Sequence, residues 1–326
     1  MANKEKVMKW IHTQDLSGKG FILPDIASMI ESRLANPSTL LSSIHCAKSM
    51  GDSVLRQLDE DRGATGGLRL SQSGACVKQL AYQYHHAIPN GMQIGPASKI
   101  AFVIGDITEA ILVSALAEAF EKTSAGALTF AGKDQETVYM DVQLEKGMQR
   151  ARIPGHPDGS MVVFTENKVP VEAILEVKSM SDYGYRKFRE EGLGVDDSYY
   201  AQVQSYMHCK GFKWAYLVAY NKTAGARDAE IHEDGTWTPV TAMHGEWIPY
   251  NADYVELSIK NKFRTVINST GPEEVSRPYE PNKKGQLAFP CDYCAYYKTC
   301  FPYCTEEAVQ SKWLTKSTKI KVLAGE

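Results

Sequence analysis

The chain has 326 residues, 43% of them hydrophobic, with 36 lysines and arginines against 39 aspartates and glutamates and a formal net charge of −3. That length supports one large domain or two with a sizeable core, and the near-balance of charge excludes a whole-molecule field that draws polyanions. Any nucleic-acid chemistry then needs a local basic groove.

Seven cysteines are unevenly spaced, and the N-terminus, MANKEKVMKW, lacks the apolar segment of a secretory signal. Together these argue against a disulfide scaffold and for a cytoplasmic protein. No run reads as long and apolar enough for a membrane span, so no membrane is expected as a partner.

Residues 1–66 read as a separable helical extension. Pro24 to Leu34 and Leu40 to Leu58 carry apolar residues at helical spacing, broken at Pro37-Ser38-Thr39. His45 and Cys46 fall in the second of these, where a buried thiol is the plain reading. Asp61 to Gly67, DRGATGG, has the composition of a linker.

Next comes LSQSGACVKQLAYQY, residues 70–84. Ser71 or Ser73 can cap a helix starting here, which puts Cys76 in the first turn, where a helix N-terminus favours the thiolate that a metal centre requires. A small core residue is the alternative. Ser98 to Phe120 has the apolar stripe of a strong helix. Gly105 and Glu109 share a face one turn apart, and the glycine would let another backbone come close to Glu109. That glutamate is either a carboxylate of a metal site or a solvated residue.

The stretch GHPDGSMVVFTENKVPVEAILEVKS, residues 155–179, holds the most chemistry. Ser160 to Phe164 and Val171 to Val177 are β-rich, with Thr165 to Lys168 polar enough to turn between them. Alternation puts Ala173, Leu175 and Val177 on one face and Ile174, Glu176 and Lys178 on the other. Such a hairpin brings Asp158 near Glu176. Two carboxylates so placed hold a divalent cation through hard oxygen ligands, and Lys178 on the same face orients a water or stabilises charge on a phosphate. An edge hairpin with an ordinary surface ion pair is the plainer alternative.

Ser179 to Asp197 reads as a mobile polar loop carrying Arg186, Lys187 and Arg189, which would meet backbone phosphates if a metal centre lies beside it. Asp197 to Cys209 reads as a helix with Gln202 and Tyr206 one turn apart. Lys213 to Tyr220 reads as a strand, Trp237 to Trp247 as two short strands, and Asp253 to Ile267 as a helix.

Cys291, Cys294, Cys300 and Cys304 follow at x2, x5 and x3 spacing. They suit either a local zinc site closed by all four, or an iron–sulfur cluster on the first three with a distant fourth thiolate, most plausibly Cys76. Tyr293, Tyr296, Tyr297, Phe301 and Tyr303 would shield a cluster from solvent. No GxxxxGK[ST] phosphate loop is present, so no ATP motor is recognisable.

Taken in order, these motifs resemble the RecB-like branch of the PD-(D/E)xK nucleases, and most closely its iron–sulfur exonucleases of the CRISPR-associated and phage-encoded type. The likeness covers roughly residues 68–305 and lies in the ordered set: Ser71 and Cys76, Gly105 and Glu109, GHPDG with Asp158, Glu176-Val177-Lys178, Gln202 and Tyr206, then Cys-x2-Cys-x5-Cys.

The resemblance implies an α/β fold with a restriction-endonuclease-like core, in which helices flank a mixed central sheet and an iron–sulfur lobe lies to one side. It divides the chain into 1–66, a nuclease domain 67–305 and a C-terminal tail 306–326. Glu109, Asp158 and Glu176, with the carbonyl of Val177, would bind Mg2+ or Mn2+, and Lys178 would position the attacking water. Gln202 and Tyr206 would steady the lysine and the DNA backbone, while Cys76, Cys291, Cys294 and Cys300 would hold a 4Fe–4S cluster. Glu109 stands where many relatives carry histidine, and Cys304 lies outside the pattern and keeps the Zn2+ alternative open. The implied function is DNA exonuclease action on single strands or frayed ends, with a helicase or recombination partner supplying any unwinding. The alternative is a DNA-end-binding or adaptor subunit of a repair, recombination or spacer-acquisition complex.

Overall fold

The structure is a computed structural model. It describes residues 23–35, 47–55 (without 49 and 53), 67–90, 96–131, 136–144, 149–194, 198–224, 229–310 (without 232, 240 and 241) and 316–322. The predicted helix over 40–58, with His45 and Cys46, and the linker at 61–67 lie largely outside these residues.

In chain order the elements are α1 (Ile26–Leu34), a 3-10 turn (Leu70–Gln72), α2 (Val77–Tyr84), α3 (Pro96–Thr123), β1 (Gly126–Ala131), β2 (Val138–Gln143), β3 (Arg150–Gly155), β4 (Gly159–Phe164) and β5 (Pro170–Met180). Then come α4 (Asp182–Glu191), α5 (Ser198–Lys210), β6 (Trp214–Asn221), β7 (Ala229–Ile231), β8 (Trp237–Pro239) and β9 (Met243–Pro249). The last group is α6 (Ala252–Tyr254), a π-helical stretch (Val255–Lys260), α7 (Asn261–Asn268), α8 (Phe289–Asp292), α9 (Tyr297–Cys300), β10 (Cys304–Gln310) and β11 (Lys316–Val322).

The central sheet has the order β1-β4-β5-β6-β9 and is mixed, because β5 and β6 run parallel while the other neighbours are antiparallel. The parallel pair is joined through α4 and α5, as a crossover requires. β7–β8 and β10–β11 are separate ribbons, so the two strands expected between Trp237 and Trp247 belong to different sheets. The β10–β11 ribbon lies in the stretch expected to be a tail.

The period-2 pattern of β5 sorts as expected. Val171, Ala173, Leu175 and Val177 enter a core shared with α1 and α3, whereas Ile174 and Met180 enter a second core under α2, α4, α5 and α7. β6 does the same, with Tyr216 and Val218 on one side and Ala215, Leu217 and Ala219 on the other. From the expected N-terminal extension, α1 joins the first core through Ile26 and Ile30, each burial contributing about 1.5–3 kcal/mol. Its entry is pinned to the sheet by two hydrogen bonds, Ala27 N–H to Tyr216 Oη at 3.1 Å and Trp247 Nε1–H to the Pro24 carbonyl at 3.0 Å.

Four readings change. Asp182–Glu191 is a helix rather than part of a loop, because Ser181 caps Gly184 N–H and Tyr185 and Phe188 are buried at helical spacing. The helix after residue 70 begins only at Val77, so Cys76 is its N-cap residue and not in its first turn. The helix expected over 253–267 is interrupted by the π-helical stretch. Finally, Ser98–Thr123 is long and apolar enough to cross a membrane, contrary to the reading of composition, although Leu112, Val113, Ala115, Leu116 and Phe120 of its second half are buried against the sheet.

Candidate active site and cysteine pocket

β4 begins opposite β5 at Leu175, so from Glu176 onward β5 has no β4 partner. The amide that would otherwise lose its bond is Val177 N–H, and it donates to Asp158 Oδ2 at 2.8 Å. The predicted meeting of Asp158 and Glu176 therefore occurs where the hairpin pairing stops.

Glu176 is fully buried. Its Oε1 accepts from Gln202 Nε2 at 2.7 Å and from Lys178 Nζ. Its Oε2 is buried with no hydrogen-bond partner among the described residues. Gln202 Nε2 also reaches Tyr206 Oη at 3.2 Å, so the two α5 residues one turn apart do act on one spot. That spot is the carboxylate of Glu176. Two close approaches hold α5 there. A Cβ on Gly155 would sit 2.8 Å from the Tyr206 ring and 2.7 Å from Leu70, and one on Gly74 would sit 2.3 Å from Ser198 Cα.

The electrostatics are those of crowded anions in a dry place. Burial, then the charges of Asp158 and Glu176, hold the Glu109 carboxyl up to about 9. Burial, then Asp158, hold Glu176 up to about 8, with Lys178 pulling the other way. Burial works against the charge of Lys178, but Glu176 and Asp158 outweigh it and hold the ammonium above lysine's ordinary value. Burial and the Glu176 charge keep Tyr206 a neutral phenol.

Glu109 is thus partly buried and feels the charges of both Asp158 and Glu176. Gly105 does not do what was expected of it among the described residues: a Cβ there would meet Ser179 Cβ, at 4.0 Å, and none of their backbone comes close. Sequence reasoning missed Tyr199, whose ring lies 5.2 Å from Lys178 Nζ. An aromatic at the first turn of α5 gave no signal of its own.

A divalent cation suits this donor set, since an orphaned buried carboxylate oxygen beside two further carboxylates is what a hard cation would satisfy. Among the described residues, however, no three His, Cys, Asp or Glu side chains already stand at metal-holding distance.

A second cluster lies away from the sheet. Cys76, Cys291, Cys294 and Cys300 line one pocket with Tyr82, Tyr297 and Phe301. Asn90 and Thr299, 209 residues apart, join two distant segments of the chain: Asn90 Oδ1 accepts Thr299 N–H at 3.2 Å and its hydroxyl at 3.0 Å. Tyr82 stacks on Tyr296 at 5.4 Å, and Lys78 Nζ donates to the carbonyls of Pro272 and Val275. Burial, then Cys76 and the other two thiols, push Cys291 up to about 12, and Cys294 and Cys300 are raised as well. Four sulfurs lining one pocket are a soft donor set of the kind that iron or zinc takes. Cys304 packs nearby against Leu287, Tyr297 and Phe301 but does not line the pocket.

No family model and no curated protein matches the chain. Among solved structures it is similar to SSO0001, at 11% identity and a TM-score of 0.41 over 78% of this chain and 95% of that one. It is also similar to LHK-Exo in complex with dAMP, an alkaline exonuclease from Laribacter hongkongensis, at 16% identity and 0.35 over 63% and 87%. A phage related exonuclease from Haemophilus somnus 129PT is similar at 13% and 0.22 over 62% and 95%. With every TM-score below 0.5, these likenesses assign no chemistry to any residue here.

Proposed function

We propose that the chain is a divalent-cation-dependent DNA nuclease, acting as an exonuclease on single strands or frayed ends. The reading rests above all on Glu176 Oε2, a buried carboxylate oxygen without a partner among the described residues, in a site where Asp158, Glu109 and a lysine held in its charged state feel one another's charge. In a dry interior such an arrangement is costly by itself, and a doubly charged cation is the simplest group that offsets it.

Mg2+ or Mn2+, when bound, would neutralise the charge that grows on a phosphate under attack and favour deprotonation of a nearby water. Asp158, Glu176 and Glu109 would hold it. Lys178, fixed by Glu176 Oε1, would present a donor to the attacking water or to a phosphate oxygen. Gln202 occupies Oε1 as well, which leaves Oε2 as the free donor of that carboxylate, and Tyr206 supports Gln202 from behind. Arg186 and Lys187 on α4, which follows β5 directly, supply exposed positive charge for the phosphate backbone.

We also propose that Cys76, Cys291, Cys294 and Cys300 hold an iron–sulfur cluster that clasps α2 to the C-terminal segment. The donor set supports this reading, and the position of Cys304 outside the pocket favours it over a local zinc site.

Degradation of a labelled single-stranded oligonucleotide with Mg2+ or Mn2+ tests the enzyme, compared between wild type, Asp158→Ala and Lys178→Ala. Loss in both variants supports the assignment; wild-type rates in both overturn it. The visible absorbance of anaerobically purified protein tests the cluster.

A further inference from the structure

Helix α3 has two unlike halves. From Ala110 onward it is packed into the core, whereas before that point Ile100 is 61% exposed and Phe102 48% exposed. Lys99, Phe102, Gly105 and Glu109 follow one another at steps of three, three and four residues, so they form one stripe along the helix. At its inner end lies a carboxylate that feels the charges of Asp158 and Glu176. At its outer end stand an exposed aromatic ring and an exposed lysine. Between them, at Gly105, the helix carries no side chain, and among the described residues a Cβ there would make only an ordinary contact, with Ser179 Cβ at 4.0 Å. Among the described residues no backbone packs closely on that glycine, so what its missing side chain does is keep the stripe low between the two ends.

We propose that this stripe is the entry track of the substrate strand, a deepening that rests on the nuclease reading above. Lys99 would meet a phosphate, Phe102 would stack on an unpaired base, and the sugar–phosphate chain would pass over Gly105 into the carboxylate site. The seven residues from Phe102 to Glu109 rise about 10 Å. At about 3.4 Å per stacked nucleotide, that places the stacked base some three nucleotides from the cut. Stacking is indifferent to sequence, as suits an enzyme that consumes a strand base by base, and it demands an unpaired base. Asp106 flanks the stripe and opposes phosphate approach, which Lys99 and the bound cation must offset.

The test is fluorescence anisotropy of a dye-labelled single strand on the full chain, with Ca2+ replacing Mg2+ so that binding is read without cleavage. A second strand carries abasic sites near the end. Phe102→Ala should weaken binding of the normal strand about tenfold or more and leave the abasic strand unchanged, while Phe102→Trp keeps the preference. Gly105→Leu, a better helix former, should slow cleavage with Mn2+ affinity intact by calorimetry. The track is overturned if wild type cuts DNA and Phe102→Ala binds both strands normally, or weakens on both equally. It is overturned too if the variant instead changes sedimentation, since the exposed face would then be covered by a second copy. A wild type that neither binds nor cuts DNA removes the nuclease reading as well.

Discussion

The backbone N–H of Val177 donates to Asp158 Oδ2 at 2.8 Å, just before β4 begins, where β5 keeps β6 on one side and has no β4 partner on the other. One side chain thereby replaces a missing strand and holds its own charge against that of the next carboxylate, Glu176. A net gain of about 1 kcal/mol for such a bond is small beside the cost of keeping two buried anions together. Lys178 offsets part of that cost, and protonation of Glu176 or a bound cation would offset more.

This gives a pH dependence with a definite sign. Glu176 and Glu109 are held up to about 8 and about 9, above the usual carboxylate range. Their neutral forms stabilise the metal-free fold fully below the ordinary value of 4.5, and that stability is lost as pH rises through about 8 and about 9. Thermal melts in EDTA should therefore show a falling midpoint across this window. Mn2+ should restore it, with an affinity that grows over the same range as protons leave. Metal-free melting that is flat from neutral to alkaline pH contradicts the buried-carboxylate account.

Gly155→Ala should destabilise the fold by about 1–3 kcal/mol, because its Cβ would sit 2.7 Å from Leu70 and 2.8 Å from the Tyr206 ring. Displacing Tyr206 also loosens Gln202 on Glu176. Cleavage should then fall more than the loss of folded protein explains, read by urea titration beside an activity assay. Unchanged stability would mean that α5 yields easily at this point.

Much of this arrangement was legible because it follows from backbone period. The alternation in Ala173 to Lys178 dictates which side chains share a face, and Gln202 and Tyr206 share theirs by helical spacing. What stayed hidden depends on tertiary neighbours. Asp182–Glu191 looked like a loop because only Tyr185 and Phe188 of its ten residues are buried, which leaves a polar sequence with a thin apolar stripe. The start of α2 was misplaced because Ser71 and Ser73 both resemble caps, and a 3-10 turn takes up that stretch instead. Neither the lack of a close backbone neighbour at Gly105 among the described residues nor the Tyr199 ring beside Lys178 can be read from spacing.

The basic residues of α4 bear on affinity. Arg186 is exposed and pairs with Asp182 at 3.0 Å, one turn back, a surface contact worth little. Its charge is thus available to phosphates at small cost. Arg186→Ala with Lys187→Ala should weaken DNA binding for all sequences alike and reduce the slope of log K against log salt by up to about two. An unaltered slope returns α4 to a merely solvated helix.

The four pocket cysteines bear on the fold. Cys76→Ser, Cys291→Ser, Cys294→Ser or Cys300→Ser should each bleach anaerobically purified protein and lower its melting midpoint, because the proposed cluster would tie together distant parts of the chain. Cys304→Ser should leave colour and midpoint close to wild type. Colourless protein with zinc that survives Cys76→Ser and is lost with Cys304→Ser would show a local zinc site.

The most direct measurement is single-turnover cleavage of an end-labelled single strand by wild type and Glu176→Gln, with Mn2+ in excess and both proteins checked for equal folding. The substitution keeps the shape of the side chain and its place beside Lys178 and Gln202, but it removes the charge and the oxygen donor at Oε2. The account predicts metal-dependent release of nucleotides by wild type and a loss of at least about a hundredfold in the variant. Cleavage by Glu176→Gln at the wild-type rate, or wild-type protein that leaves DNA intact with Mg2+ and Mn2+ alike, would contradict it.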